Sequence, residues 1–403
     1  MSPAAATGAD RVDALLAARV AAGERFFGAE SERLARLCHA MAERFARGGR
    51  LLAFGASTVD VSDARHVAVE FVHPVIVGKR ALPALALSPA EVALLARADD
   101  IAIAFGGGAA GAPSKRSGAA VEAAVRDAAR GGCLTLAFTR VGAEWELIPP
   151  TADAFVAQEL AETAYHVLWE LVHVFFEHRG LLAGRTAGPV HDSGASSFLY
   201  PFLAEREDDL GAVLADVRAS ALTKSREIGE LRAQTLREGR VTLLAAAAAL
   251  RASFDTGGTL LALGNGGSAT DAMDAVADLR EPPPWPARRA LDLTADPAIL
   301  TAIANDVGTE ALFARQVIAY GRPGDTLLAF STSGGSPNVI LALQEARRRR
   351  LATIALVGYD GGRVAAERLA DHVIVTRSEH IPRIQEAQAS AWHVLRELIE
   401  ADL

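Results

Sequence analysis

The feature that most constrains this 403-residue chain is an internal repeat. Three groups of residues recur in the same order, with a separation that grows from 209 to 227 residues along the chain. The paired groups are Leu51–Gly55 with Leu260–Gly264, Asp99–Gly106 with Gly324–Ser331, and Gln158, Glu159 and His166 with Gln385, Glu386 and His393. Because an ordered repeat marks a duplicated structural unit, the chain is predicted to hold two copies of one domain that differ in loop length.

Each copy has the pattern of an α/β domain. In both, a short apolar run ends in a glycine-bearing turn that opens a helix, and further runs and helices alternate downstream. Runs such as 134–138 and 353–357 lack polar alternation, as in parallel strands covered on both faces. The predicted fold class is therefore α/β, with two doubly wound parallel-sheet domains in tandem. The predicted limits are 1–180 for the first domain, 181–204 for a Gly-, Ala- and Ser-rich linker, and 205–403 for the second domain.

Composition excludes several classes of partner. Half of the residues are hydrophobic and the net charge is −8, which disfavours nucleic acid and anionic membranes. The two cysteines, Cys38 and Cys133, show no metal-ligand spacing and exclude a disulfide framework. No apolar run reaches the ~20 residues of a membrane helix, and the N-terminus does not read as a secretory leader. We expect a soluble, cytoplasmic protein.

Two loops of the second half have the composition of a phosphate cradle. The loop 264–268 joins an apolar strand to a helix, and its glycines let backbone N–H groups approach an anion. The loop 331–336 follows another strand, and Pro337 suits the first turn of the next helix. A tight turn or a serine-rich helix cap without ligand is the alternative interpretation. The candidate phosphate-binding residues in these loops are Asn265, Gly266, Ser268, Ser331, Thr332, Ser333 and Ser336.

These loops, with Asn305-Asp306, Asp360-Gly361-Gly362 and Arg383-Ile384-Gln385-Glu386, resemble the phosphoheptose isomerases. Members of that family have one sugar isomerase (SIS) domain and convert sedoheptulose 7-phosphate to a heptose 7-phosphate. The resemblance covers most of 205–403 and, more distantly, 10–180. It implies a flavodoxin-like, three-layer SIS domain in each half and adds Asn305, Asp306 and Gln385 to the substrate-binding residues.

The resemblance also implies a bound divalent metal, usually zinc, and a pair of residues that transfer protons. The family carries His and Glu four residues apart on one helix, and Gln and His eight apart on the last helix. In the first half these positions hold the metal set His66, Glu70, Gln158 and His166, of which Glu70 and His166 would be catalytic. The second-half counterparts are Asp274, Asp278, Gln385 and His393. Each first-half pair falls on one helix face, although a lone buried His or a surface His–Glu pair would look the same.

The two halves have lost complementary residues. The first half lacks the hydroxyl residues of the loop 331–336 and has Gly106-Gly107-Gly108 there. In place of the loop 264–268 it has Gly55-Ala56-Ser57-Thr58-Val59. The sequence thus suggests one composite site per chain, with phosphate held by the second half and chemistry performed by the first. In a variant of this hypothesis, both halves supply metal ligands, and Gln385 and His393 are those of the second half.

The function predicted is an aldose–ketose isomerisation of a heptose 7-phosphate through an enediol, in a homodimer of pseudo-dimers. A non-catalytic sugar-phosphate-binding regulator or scaffold is the main alternative, because Asp274 and Asp278 have replaced His and Glu and Pro382 precedes Arg383. A second alternative is a two-SIS-domain aminosugar or hexose-phosphate isomerase, which the segment 383–386 disfavours.

Overall fold

A computed structural model describes residues 8–75, 79–106, 115–178, 181–182, 209–281 and 285–401. The predicted linker 181–204 lies outside the described residues except for Leu181 and Leu182. Gly107 and Gly108 of the first-half triple-glycine segment lie outside them as well.

Ten strands form two five-stranded sheets, and every strand pairing is parallel. The strands are β1 (Leu51–Phe54), β2 (Ala84–Leu87), β3 (Ile101–Ala104), β4 (Leu134–Ala137), β5 (Trp145–Glu146), β6 (Leu260–Leu263), β7 (Ala290–Asp292), β8 (Thr326–Ser331), β9 (Ala352–Gly358) and β10 (His372–Thr376). The first sheet has the order β2-β1-β3-β4-β5, and the second has the order β7-β6-β8-β9-β10. Both orders are the flavodoxin-like one. The predicted fold class is confirmed, and the repeat is visible as one topology used twice.

Thirteen α-helices surround the sheets in the described part of the chain, with a further 3₁₀ turn at Thr309–Ala311. The helices are α1 (Gly8–Ala46), α2 (Thr58–Val72), α3 (Pro89–Leu95), α4 (Lys115–Arg130), α5 (Ala154–Glu177), α6 (Leu210–Glu238), α7 (Arg240–Asp255), α8 (Gly267–Arg280), α9 (Pro297–Asp306), α10 (Leu312–Tyr320), α11 (Pro337–Arg348), α12 (Gly362–Ala366) and α13 (Ile381–Glu400). No helix of the described residues is long and apolar enough to cross a membrane.

The central strands of each sheet are buried on both faces, which explains why they do not alternate between apolar and polar residues. In β6, Leu260 and Ala262 belong to one apolar cluster, whereas Leu261 and Leu263 belong to another. The first sheet divides in the same way, with Ile103 on one side and its neighbours Ala102 and Ala104 on the other. Because alternate residues of a strand face opposite sides, two clusters per sheet mean a helix–sheet–helix sandwich.

The chain forms two compact units, each containing one sheet. Ala22–Glu227 forms the unit with the first sheet, and Met1–Ala21 together with Ile228–Leu403 forms the unit with the second. We call them the first-sheet unit and the second-sheet unit. The helices α1 and α6 therefore contribute residues to both units. The domain limits at 180 and 205 remain a prediction from sequence.

In each sheet, a buried aspartate directly precedes the central strand and makes the same hydrogen bonds. Asp100 accepts hydrogen bonds from the backbone N–H groups of Arg50 (2.8 Å) and Arg97 (2.9 Å). Asp325, its repeat counterpart, accepts from those of Thr259 and Arg322, both at 2.8 Å. In each unit the carboxylate ties the start of one strand to the turn before its neighbour, so the duplication extends to individual hydrogen bonds.

We expect Asp100→Asn to lower the stability of the first-sheet unit by about 1–3 kcal/mol, because one buried N–H loses its charged acceptor. Burial alone would raise the pKa of Asp100, but the bonds from Arg50 and Arg97 hold this pKa below its ordinary value. Asp100 therefore stabilises the fold above the pKa of an unfolded aspartate, and this contribution is lost as the pH falls through the lower folded pKa.

Urea unfolding of wild type and Asp100→Asn at pH 7 and at about pH 3 would measure this difference. The matched control is Asp99→Asn, because Asp99 is half exposed and its bond to Arg47 is a surface ion pair, worth at most about 1 kcal/mol. Equal destabilisation by the two substitutions would contradict the role given to Asp100.

Candidate functional site

The two predicted phosphate loops lie at the topological switch point of the second sheet. From β6 the chain goes first to β7 on one side and then to β8 on the other. The loop 264–268 follows β6 and the loop 331–336 follows β8, and these two strands are adjacent and parallel. Both loops therefore leave the sheet at the same edge, where doubly wound proteins bind their ligands.

Close backbone packing explains the glycines of the first loop. A Cβ on Gly264 would lie 2.0 Å from the carbonyl oxygen of Ser268, so no side chain fits there. Gly266 has a φ of 57° and is the N-cap residue of α8. Asn265 is exposed at the tip, and Ser268 is buried in the first turn. The exposed start of α8 presents backbone N–H groups and the positive end of the helix dipole.

The second loop is held in shape by its own hydroxyls. The Oγ of buried Ser331 accepts a hydrogen bond from the N–H of Gly334 at 3.1 Å, and the Oγ of exposed Ser333 accepts one from Gly335 at 3.2 Å. Gly334 has a φ of 58°, and a Cβ there would lie 2.2 Å from the carbonyl oxygen of Gly361. Thr332 is half buried.

Ser336 is the N-cap residue of α11, and its side chain makes no capping hydrogen bond. Pro337 follows it in the first turn, as the sequence indicated. The hydroxyl of Ser336 is therefore not used to cap α11.

A pair of asparagines joins the two loops. The side-chain amide of Asn265 donates to Asn338 Oδ1 at 3.0 Å, and that of Asn338 donates to Asn265 Oδ1 at 2.9 Å. Asn338 lies in the first turn of α11 and was not among the residues identified from sequence. Its position directly after Pro337 was the available signal, because short polar side chains at helix starts bond to neighbouring loops.

The other predicted substrate-binding residues lie elsewhere in the second-sheet unit. Asn305 and Asp306 are exposed at the end of α9, where the Asn305 amide donates to Asp306 Oδ1 at 2.7 Å. Gln385 is buried in the first turns of α13. The hydrogen bonds thus tie together the two loops, whereas Asn305 and Asp306 bond to each other.

The first-sheet unit contains a buried cluster of metal-ligating side chains between α2 and α5. Ligand atoms of His66, Glu162 and His166 all lie within 4.8 Å of one another, and all three residues are at most 4% exposed. The rings of His66 and His166 have their centroids 5.1 Å apart. It is the only such group of three or more His, Cys, Asp or Glu residues found among the described residues.

Of the predicted metal set, Glu70 and Gln158 lie beside this cluster. Glu70 Oε1 is 3.9 Å from His66 Nε2, one helical turn away on α2. Gln158 lines a cavity of about 30 Å³ at the end of β3, with Asp60, Asp63 and Phe105 among its neighbours. The Oε1 of Gln158 is buried and has no hydrogen-bond partner among the described residues.

Glu162 was not identified from sequence. It lies midway between Gln158 and His166, four residues from each, so it projects from the same face of α5. This spacing was the available signal. Comparison of the two halves did not reveal Glu162, because the equivalent position of the second half is Ala389.

The chemistry of the cluster fits a divalent transition metal. Burial and the neighbouring His166 lower the pKa of His66 well below its ordinary value, which favours the neutral imidazole that binds metal. Two imidazoles and a carboxylate in a buried pocket are an ordinary zinc ligand set.

The second-half counterparts of the metal set are arranged differently. Asp278 Oδ2 accepts a hydrogen bond from the indole Nε1 of Trp392 at 2.8 Å and lies 3.7 Å from His393 Nε2. Burial raises the pKa of Asp278, while His393 and Trp392 oppose that rise. Asp274 is half buried. In this unit the shortened carboxylate belongs to a hydrogen-bond network with the last helix.

The second half of the chain is similar to SIS domains, and nearly the whole chain is similar in fold to a solved structure. A model of the SIS domain matches residues 225–358. The C-terminal domain of glucosamine-fructose-6-phosphate aminotransferase from Francisella tularensis has a TM-score of 0.53 at 10% identity and covers 94% of this chain and 95% of that one. That likeness shows that the two-domain α/β fold extends over nearly the whole chain, and the SIS domain itself is matched within the second half.

Relatives in sequence then give the family. The phosphoheptose isomerase of Chlorobaculum parvum is 44% identical over 164 residues, which are 40% of this chain and 78% of that protein. The phosphoheptose isomerase of Nitratidesulfovibrio vulgaris is 37% identical over 190 residues, 46% of this chain and 89% of that protein. The chain therefore belongs to the phosphoheptose isomerase family, and the resemblance found in its motifs is confirmed.

We expect Trp392→Phe to destabilise the second-sheet unit by about 1–3 kcal/mol through the loss of the indole donor to the buried Asp278 carboxylate, beyond any loss of packing. A double-mutant cycle with Asp278→Ala, read from urea unfolding midpoints, isolates the interaction of the two side chains. Additive effects of the two substitutions would show that the hydrogen bond contributes nothing to stability.

Proposed function

We propose that this protein is a phosphosugar aldose–ketose isomerase that acts on a heptose 7-phosphate. The observation that carries the proposal is the buried contact of Glu70 with His66 beside Glu162 and His166, because it combines an acid–base group with a metal-ligand set. Membership of the phosphoheptose isomerase family supports the same reaction class.

The second-sheet unit would bind the phosphate. Its two loops offer the start of α8, the start of α11 and the hydroxyls of Ser331, Thr332, Ser333 and Ser336 at one sheet edge. A phosphomonoester accepts hydrogen bonds from such groups, and this remote binding energy would position the sugar carbons for reaction.

The first-sheet unit would supply the proton transfers. Glu70 or His166 would remove the proton from the carbon next to the carbonyl, and the other would protonate the neighbouring oxygen, giving an enediol. A divalent metal held by this unit, with zinc as the first candidate, would polarise the carbonyl when bound. Burial of the cluster would exclude water from the reacting groups.

We further propose that one sugar phosphate uses both sets of residues. The support is the complementary loss in the sequence, since the first half lacks the hydroxyl-rich loop and the second half has aspartates in place of His and Glu. If the phosphate loops and the acid–base residues served different ligands, a substitution in one half would not affect the function of the other.

A specific observation favours a second candidate, a sugar-phosphate-binding regulator without catalysis. Asp278 is bonded to Trp392, so the second half has turned its counterpart of the metal set into a structural network. If the first half followed the same course, the loops would bind ligand and no turnover would follow.

We expect Glu70→Gln to lower kcat for sedoheptulose 7-phosphate by about 10²–10⁴-fold, the range of general acid–base catalysis, while ligand affinity changes little. The measurement is a coupled isomerase assay together with calorimetric titration of the sugar phosphate. Glu122→Gln is the matched control, because Glu122 is exposed on α4. Full activity of Glu70→Gln would remove Glu70 from the mechanism, and an inactive wild type that still binds the sugar phosphate would support the regulator.

We expect Ser333→Ala to weaken binding of the sugar phosphate by about 10–150-fold, because one hydrogen bond to a charged group is worth about 1.5–3 kcal/mol. The same change should raise KM more than it lowers kcat, since the phosphate is remote from the reacting carbons. Ser225→Ala on α6 is the matched control, at a partly exposed helical serine. An unchanged Kd and KM would show that the second loop does not hold the phosphate.

A further inference from the structure

We propose that Glu162, together with His66 and His166, forms the metal site of the first-sheet unit, and that Glu70 is left to act as the proton-transfer group. The assignment of Glu70 rests on the proposed function; the metal site itself does not. It departs from the set that the family resemblance implied, in which Glu70 and Gln158 were ligands.

Helix geometry favours Glu162 over Gln158. Glu162 and His166 lie one turn apart on α5, about 6 Å along the helix axis, whereas Gln158 and His166 lie two turns or about 12 Å apart. Ligand atoms of Glu162 and of both histidines are mutually within 4.8 Å. Gln158 instead lines the cavity at the end of β3, where its Oε1 has no hydrogen-bond partner among the described residues.

The burial and spacing of the cluster also suit a divalent cation. Glu162 is 4% exposed, and the two histidines beside it are buried as well. A divalent ion bound by this carboxylate and two neutral imidazoles would bind to groups already within reach of one another.

Two carboxylates near the histidines would allow two tasks to be divided. If Glu162 binds the metal, Glu70 need not be a ligand, and its Oε1 lies 3.9 Å from His66 Nε2. The metal and the substrate proton would then be bound by different carboxylates.

The repeat sets the expected stoichiometry. Ala389 occupies the position equivalent to Glu162, and Asp278 accepts a hydrogen bond from Trp392. The second-sheet unit therefore lacks the carboxylate that completes the site, and we expect one tightly bound metal ion per chain.

The test measures metal binding by the full chain and does not use turnover. Wild type, Glu162→Gln, Glu70→Gln and the control Glu122→Gln are stripped with chelator and titrated with Zn²⁺ against a competing indicator. The ligand field is followed by the absorption of bound Co²⁺. We expect one site in wild type, at least roughly a tenfold loss of affinity with a changed Co²⁺ spectrum in Glu162→Gln, and unchanged affinity in Glu70→Gln and Glu122→Gln.

Glu162→His keeps the proposal testable if Glu162→Gln does not fold. Because imidazole is also a zinc ligand, this variant should bind one Zn²⁺ with a Co²⁺ spectrum shifted from that of wild type. Unchanged Zn²⁺ affinity in Glu162→Gln, loss of the ion in Glu70→Gln, or no binding by wild type would each overturn the assignment. An inactive wild type with the expected metal binding would count against the isomerase function alone.

Discussion

Burial of two imidazoles and two carboxylates between α2 and α5 is the constraint on which the first-sheet unit depends. Twenty residues of α5 are buried, most of them apolar, so polar side chains on this helix are costly unless they meet each other or a ligand. Glu162 and His166 do meet His66, and one turn further Glu170 pairs with Lys224 of α6. A continuous polar stripe in an otherwise apolar core serves recognition or chemistry more readily than stability.

The second-sheet unit has the same topology with different loops at its switch point. Its switch point lies between β6 and β8, and the loops after these strands are locked by the reciprocal amide bonds of Asn265 and Asn338. Glycines allow close backbone packing at Gly264 and Gly334, which leaves N–H groups and hydroxyls at the sheet edge. Under the proposed function, duplication followed by specialisation would account for both halves, with anion binding by the loops of one and a metal site in the buried cluster of the other.

Much of this arrangement could be predicted from the sequence, because the information is local. Apolar runs without alternation predicted the parallel strands, and Pro337 and the glycines predicted where helices begin. Three features were not predicted: Glu162 and Asn338 had local signals in their spacing and position, but the residues that such side chains meet depend on long-range packing. Glu162 has no counterpart in the repeat, Asn338 pairs with a residue 73 positions away, and the bond of Trp392 to Asp278 spans 114 positions. The division of α1 between the two units likewise depends on tertiary contacts.

The central claim is that a side chain of the first-sheet unit removes a proton from the carbon next to the sugar carbonyl. Conversion of sedoheptulose 7-phosphate in ²H₂O, followed by NMR of the product, tests it directly. The account predicts deuterium at C2 of the aldose product, the former carbonyl carbon, because the proton removed from C1 exchanges with solvent before a proton is returned to C2. No product at all, or protium alone at C2 after prolonged turnover, as a hydride shift from C1 to C2 would give, would contradict it.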